Sequence, residues 1–231
     1  MALPSLAIPE FRANLPSTGK EVRFRPFLVK EEKILLMALE GGDEKEIINA
    51  ILNVLQNCIL DDLDVRKMPS FDVEYLYMHL RAKSVNEIIS MRLGHRNSEC
   101  LHKTDVEIPI NDIKVIGKIS NGVVKLTDTV GIKFKYPGIE DLNVIGDAKT
   151  ENIFELIYRC VESVYDENDV YTEFDREELE EWLEQLNKEQ FEKIGGFFSE
   201  IPKLSYIVNW TCPACGESDS AKVEGLASFF I

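Results

Sequence analysis

Two cysteines near the end of the sequence have the spacing of a metal-binding turn. Cys212 and Cys215 are separated by a proline and an alanine and are followed by Gly216. Two thiolates at this spacing can bind one metal ion from a tight turn, and a glycine lets the chain leave the turn with a positive φ. Residues 204–211 and 221–223 lead into and out of the turn. The pattern therefore predicts a metal-binding turn at the tip of a β-hairpin.

A tetrahedral zinc ion needs four ligands, and a second segment offers candidates for the other two. Residues 95–102 contain His95, Cys100 and His102 and lie between two alternating segments that predict a second hairpin. Cys100 with one histidine would complete a Cys3His site. We prefer His95, because it lies at the end of the incoming strand, and His102 is the alternative. The predicted ligands of a structural Zn²⁺ are therefore His95, Cys100, Cys212 and Cys215.

The spacing in the second segment leaves other interpretations open. Four residues separate His95 from Cys100 and one separates Cys100 from His102, whereas zinc knuckles usually have two. Cys100 could be a free thiol without a metal. A redox function is disfavoured, because redox cysteine pairs begin a helix and Cys215 is followed by glycine. A site with four protein ligands has no open position for a substrate, so we expect a structural role.

These ligands must be positioned by the helices and strands that the sequence predicts, and together these indicate an α+β fold. It comprises a helical N-terminal subdomain, a central antiparallel β region, C-terminal helices and a zinc-ribbon-like pair of β-hairpins. The predicted segments are a proline-containing extended arm (1–20), a strand with a helical subdomain (21–85), a β-hairpin region (86–136), a helical segment (137–201) and the hairpin of the Cys212 turn (202–231). The arm packs either on its own domain or on a neighbouring protein. Within the β region, Ser120-Asn121-Gly122 predicts a hairpin turn.

Capping residues mark several of the predicted helices. Asp43 precedes an apolar stripe that runs to Cys58, which we expect to be a core residue. Asp175 and Asn187 are further predicted N-caps. His79 follows an apolar helix face without a ligand-spaced neighbour, so we interpret it as a packed or surface histidine.

Composition and missing motifs limit the classes of function. The chain of 231 residues has a formal net charge of −15, which disfavours binding to nucleic acids and anionic membranes. No apolar run reaches the length of a membrane span, and the first residues lack the pattern of a signal peptide. The nucleotide-binding and hydrolase motifs are absent, so we expect no enzyme and no small-molecule substrate. A local basic cluster of Arg23, Arg25, Lys30 and Lys33 is either solvated or meets an acidic partner.

A further set of motifs runs along nearly the whole chain: LPSTGK at 15–20, FRPFLVKEEKILLMA at 24–38, SFDVEYL at 70–76, LRAKSV at 80–85, PKL at 202–204, CPACG at 212–216 and GLASFF at 225–230. These motifs resemble the baseplate hub family of T4-like contractile-tailed phages. The N-terminal block is the most specific part of this resemblance.

The resemblance implies a non-enzymatic structural or assembly protein whose partners are other baseplate or hub proteins. It implies a location in the host cytoplasm during assembly and, for a retained subunit, in the tail baseplate of the virion. Members of the family typically carry two Cys-x-x-Cys pairs, and here His95 and Cys100 replace the first pair. The competing hypothesis is a zinc-ribbon module that binds nucleic acid or belongs to a transcription assembly.

Overall fold

The structure is a computed structural model that describes residues 6–94, 100–142 and 150–225. The helices are α1 (Val29–Gly41), α2 (Glu44–Cys58), α3 (Ser70–Ser84), α4 (Ile139–Leu142), α5 (Thr150–Cys160), α6 (Arg176–Glu184) and α7 (Lys188–Ser199). The strands are β1 (Phe11–Asn14), β2 (Glu21–Phe24), β3 (Ile88–Gly94), β4 (Lys103–Pro109), β5 (Lys114–Ile116), β6 (Val123–Lys125), β7 (Gly131–Phe134), β8 (Val161–Tyr165), β9 (Val170–Tyr171), β10 (Lys203–Thr211) and β11 (Ser218–Glu224). All the paired strands are antiparallel, which confirms the predicted α+β class.

The chain divides into two compact units, each built from separated stretches of sequence. Unit 1 comprises Met1–Val65, Phe71–Ile116 and Lys203–Ile231. Unit 2 comprises Arg66–Ser70 and Gly117–Pro202.

Helices α2 and α3 supply much of the core of unit 1. Asp43 caps α2 by accepting hydrogen bonds from the amides of Lys45 and Glu46, as its position before the apolar stripe predicts. Ile51 and Leu55 of α2 are fully buried, as are Phe71, Leu76 and Leu80 of α3. His79 of α3 packs its ring against Tyr75 at a centroid distance of 4.2 Å, in agreement with the packed interpretation of this histidine.

Residues 11–17 of the N-terminal arm pack on their own unit, whereas residues 6–10 are exposed. Strand β1 pairs with β2 in a register that places Phe11 opposite Phe24. Beyond β1, the Ser17 amide donates a 2.9 Å hydrogen bond to the buried carboxylate of Asp72, and the Ser17 hydroxyl donates to its other oxygen. Leu6 remains 87% exposed. The arm is therefore anchored at Ser17, whereas its first described residue does not pack into the core.

Three of the four cations in the predicted basic cluster form ion pairs within the chain. Arg23 pairs with Asp61 at 2.9 Å, and Arg25 pairs with the buried Glu31 at 2.9 Å. Lys30 also lies 3.4 Å from Glu31. Two carboxylates therefore lie beside three of the four cations, which reduces the charge that the cluster could offer to an acidic partner.

Unit 2 contains a four-stranded sheet in the order β6-β7-β8-β9, with α5, α6 and α7 packed against it. Its core includes Ile132, Phe134, Ile157, Cys160 and Ile194, all at most 2% exposed. Capping boxes begin α6 at Asp175 and α7 at Asn187, as predicted. Strands β8 and β9 are absent from the prediction, which assigned residues 137–201 to a helical segment.

The predicted hairpin at Ser120-Asn121-Gly122 is wrong, because the strands on its two sides pair elsewhere. Strand β5 pairs with β10, and β6 pairs with β7. Gly122 has a φ of +76°, and a Cβ on it would lie 2.0 Å from the carbonyl oxygen of Phe134. A glycine is therefore needed here because two backbone segments approach closely, and it does not form a two-residue hairpin turn.

Candidate metal centre

The Cys212 turn closes the hairpin formed by β10 and β11. Thr211 lies opposite Ser218, so the two strands end directly beside the turn. The amide of Gly216 donates to the carbonyl of Cys212, and the amide of Cys212 donates to the carbonyl of Glu217, both at 2.8 Å. Gly216 has a φ of +78°, which this residue type adopts without strain. The local hydrogen bonds therefore hold both thiols of the turn on one short loop.

Cys100 reaches the same loop from the connection between β3 and β4. These strands pair from Ile88 opposite Pro109 to Gly94 opposite Lys103. The sulfur of Cys100 lies 3.9 Å from that of Cys212. The sulfurs of Cys100, Cys212 and Cys215 all lie within 4.8 Å of one another, and no other such group of three or more ligand residues occurs in the described part of the chain. All three cysteines belong to unit 1.

The distances and the donor set fit a thiophilic metal. A tetrahedral zinc ion with Zn–S bonds of about 2.3 Å places its ligand sulfurs about 3.8 Å apart. The observed separation of 3.9 Å between Cys100 and Cys212 matches this edge. Three sulfur donors suit zinc better than the hard cations calcium and magnesium, which prefer oxygen. The arrangement can therefore supply three corners of a tetrahedral site.

The turn also favours a thiolate at Cys212. Its side chain is fully buried, which opposes ionisation. The amides of Cys215 and Ala214 and the thiols of Cys215 and Cys100 donate hydrogen bonds to its sulfur and lower the pKa of Cys212 below its ordinary value. The Glu217 amide favours ionisation of Cys215, but burial and the bonds to Cys212 and Cys100 raise its pKa overall. The turn therefore favours the thiolate form of Cys212, which is the form that binds a metal, before any metal is bound.

The structure describes only one of the two histidines that we considered as the fourth ligand. His102 is exposed and is not a member of the three-sulfur group. Asp105, whose pKa is lowered mainly by its hydrogen bond with Arg92, also interacts electrostatically with His102. His95 lies outside the described residues. The structure thus brings together three of the four predicted ligands.

The remaining cysteines belong to the cores, as predicted for Cys58. Cys58 and Cys160 are both fully buried. Burial raises the pKa of Cys58 to about 11 and that of Cys160 to about 12. Such thiols are inert and poor ligands.

A comparison with protein families gives the class of the molecule. Residues 8–231 match the family described as "T4 bacteriophage base plate protein". The chain belongs to this family of phage baseplate proteins, in agreement with the resemblance of its motifs. Membership indicates a structural protein of the phage tail that contacts other baseplate proteins. Comparisons with curated proteins and with solved structures gave no match. None of the helices in the described ranges has the length and apolarity to cross a membrane.

Proposed function

We propose that this chain is a non-enzymatic subunit or assembly factor of the baseplate hub and acts through contacts with other tail proteins. The family match over residues 8–231 is the observation that carries this proposal. The assignment to the hub rests on the sequence motifs, above all on the block at 24–38. That block forms the end of β2, the connection that follows it and most of α1.

The proposal includes a structural zinc ion bound by Cys100, Cys212, Cys215 and His95. A bound zinc would supply a cross-link between the β3–β4 connection and the β10–β11 turn. With four protein ligands the coordination shell is complete, so the metal stabilises the fold and has no position for a substrate. The 3.9 Å separation of the Cys100 and Cys212 sulfurs supports this part of the proposal.

Charge near the turn supports protein partners over nucleic acid. Glu217 and Asp219 flank the turn, and the nearby Lys222 is paired with Glu224. A zinc ribbon that binds a phosphate backbone needs unpaired basic residues around its metal. The competing nucleic-acid hypothesis therefore has little support from this surface.

The first residues of the arm are candidates for contacts with a neighbouring baseplate protein. Leu6 is 87% and Ile8 42% exposed, although Phe11–Asn14 immediately after them is paired in a sheet. Full burial of the Leu6 side chain in an interface would contribute about 1.5–3 kcal/mol, and burial of Ile8 would contribute less because it is already partly covered. We propose that this contact forms on assembly.

The test is the fate of the chain during phage assembly. A tagged chain should co-purify with other tail proteins, and mass spectrometry of partially assembled baseplates should detect it. Replacing Leu6 and Ile8 with serine should reduce co-purification without loss of stability. Replacing Ile153, another exposed apolar residue, with serine should leave co-purification unchanged. Absence of the chain from all tail intermediates, or tight DNA binding at physiological salt, would overturn the proposal.

A further inference from the structure

A cleft of about 370 Å³ lies in unit 2, between the β8–β9 hairpin and α6. Four aromatic residues line it: Tyr165, Tyr171, Phe174 and Trp182. The buried Leu179 also lines it. The volume lies within the range of sites that enclose one side chain or a small molecule.

The lining of the cleft is acidic as well as aromatic. Asp166, Glu173 and Glu178 line it, and no lysine or arginine is among its lining residues. Arg176 lies on the same helix but pairs with Glu155 at 2.7 Å and lies over the Tyr158 ring. The cleft therefore has negative charge that nearby cations of its own helix do not neutralise.

Hydrogen bonds hold part of this lining in place. The Asp166 carboxylate accepts from the amides of Asn168 and Asp169, and Tyr171 donates its phenolic hydrogen to it at 2.9 Å. These bonds lower the pKa of Asp166, so the group stays ionised at neutral pH. The ring of Tyr165 lies across Gly131, where a Cβ would be 2.2 Å from its hydroxyl oxygen. The lack of a side chain at Gly131 makes room for the ring.

We propose that this cleft binds an arginine side chain presented by a partner protein. A guanidinium stacks on aromatic faces and bonds carboxylates with its planar array of donors, so both parts of the lining match it. The chain's net charge of −15 complements a basic partner surface. The inference rests on the proposed function only for placing that partner among the baseplate proteins.

A peptide titration of the full-length chain tests the proposal. The probe is a capped five-residue peptide with a central arginine between serines and glycines, and glutamine replaces arginine in the control peptide. The chain has two tryptophans, so comparison with Trp210→Phe assigns the indole N–H signal of Trp182 in ¹⁵N spectra. The arginine peptide should shift the Trp182 signal in a saturable manner, and the glutamine peptide should not.

Two matched variants separate the cleft from general acidity. Glu173→Gln should weaken binding of the arginine peptide roughly two- to fivefold, the effect of one exposed ion pair. Glu167→Gln removes an exposed carboxylate that does not line the cleft and should leave the affinity unchanged. Equal binding of both peptides, equal weakening by both variants, or no saturable shift would each overturn the proposal. If the chain binds the arginine peptide but never enters tail intermediates, the cleft proposal holds and only the proposed function is wrong.

Discussion

The thiol sulfurs of Cys100 and Cys212 lie 3.9 Å apart, although 112 positions separate the two residues in the sequence. A metal that binds at this point would bind the folded chain far more tightly than the unfolded one, because only folding brings these ligands together, and its binding free energy would add to the stability of the fold. A metal at this point would therefore have a large effect on the stability of unit 1. Four predictions follow from this relationship and from other contacts in the two units.

The purified chain should contain about one zinc ion per molecule, since one tetrahedral site is expected. Cys212→Ser should release the metal, because it removes the fully buried thiol that lies beside both other sulfurs. The variant should also unfold at a lower temperature. Elemental analysis and thermal unfolding with and without a chelator measure both effects.

Cys58→Ala is the matched control for the loss of a buried thiol. Cys58 is fully buried but lies outside the three-sulfur group, so its replacement should lower stability by about 1 kcal/mol and keep the metal. A wild-type chain without metal, whose unfolding is insensitive to a chelator, would contradict the zinc proposal.

His95→Ala should weaken zinc binding, whereas His102→Ala should not. The exposed His102 is not a member of the three-sulfur group, so its loss should not change the coordination shell. Competition with a chromophoric chelator measures the affinity of each variant. If His102→Ala lost zinc and His95→Ala retained it, the assignment of the fourth ligand would be reversed.

Asp72 should make unit 1 less stable as the pH rises above the ordinary carboxylate range. Burial raises the pKa of Asp72 above its usual value of 3.8, although the hydrogen bonds from Ser17 act in the opposite direction. The folded state therefore binds its proton more tightly than the unfolded state. The resulting stability is fully present below pH 3.8 and is lost as the pH rises through the folded pKa.

Asp72→Asn tests this sign, because its amide oxygen can accept from the Ser17 amide and its NH2 group can donate to the Ser17 hydroxyl oxygen, but the side chain does not titrate. Denaturant unfolding as a function of pH should show wild type falling in stability relative to Asp72→Asn above pH 3.8. Ser17→Ala should destabilise the chain by about 1.5–3 kcal/mol at neutral pH, since it removes a hydrogen bond to a buried charge. A wild-type chain that gains stability relative to Asp72→Asn over this range would refute the argument.

Gly122→Ala should destabilise unit 2 by about 1–3 kcal/mol or more, because a strained backbone conformation typically costs this much. Its φ of +76° and the 2.0 Å approach of the Phe134 carbonyl leave no room for a Cβ. Gly195→Ala is the control: this exposed glycine of α7 has nothing within 4 Å of an added Cβ. It should stabilise the chain by about 0.5–1 kcal/mol. Equilibrium unfolding of the two variants should therefore shift in opposite directions.

Local signals in the sequence predict the helices and the main cysteine turn well. The capping residues Asp43, Asp175 and Asn187 all begin helices at the expected positions. This succeeds because a cap and an amphipathic stripe act over a few neighbouring residues. The Cys212 turn is likewise determined by its own residues and by the two strands beside it.

Strand pairing was harder to predict, because it depends on residues far away in the sequence. Ser120-Asn121-Gly122 has the composition of a hairpin turn, but Lys114–Ile116 before it pairs with residues 203–205. Val161 continues an apolar helical stripe, yet Val161–Tyr165 joins a sheet with Gly131–Phe134. The cleft escaped prediction because two of its aromatic residues, Tyr165 and Tyr171, lie in the β8–β9 hairpin, which the prediction does not contain.

The order of synthesis affects the folding of unit 1, because residues 117–202 of unit 2 separate two of its stretches in the sequence. The ribosome completes residues 117–202 of unit 2 before it makes the segment at 203–225 that unit 1 requires. During that interval β5 lacks its partner β10, and Cys100 lacks the two thiols that it meets in the folded chain. A nascent chain therefore carries an unpaired strand edge and an isolated cysteine, both open to mispairing, until its last hairpin emerges.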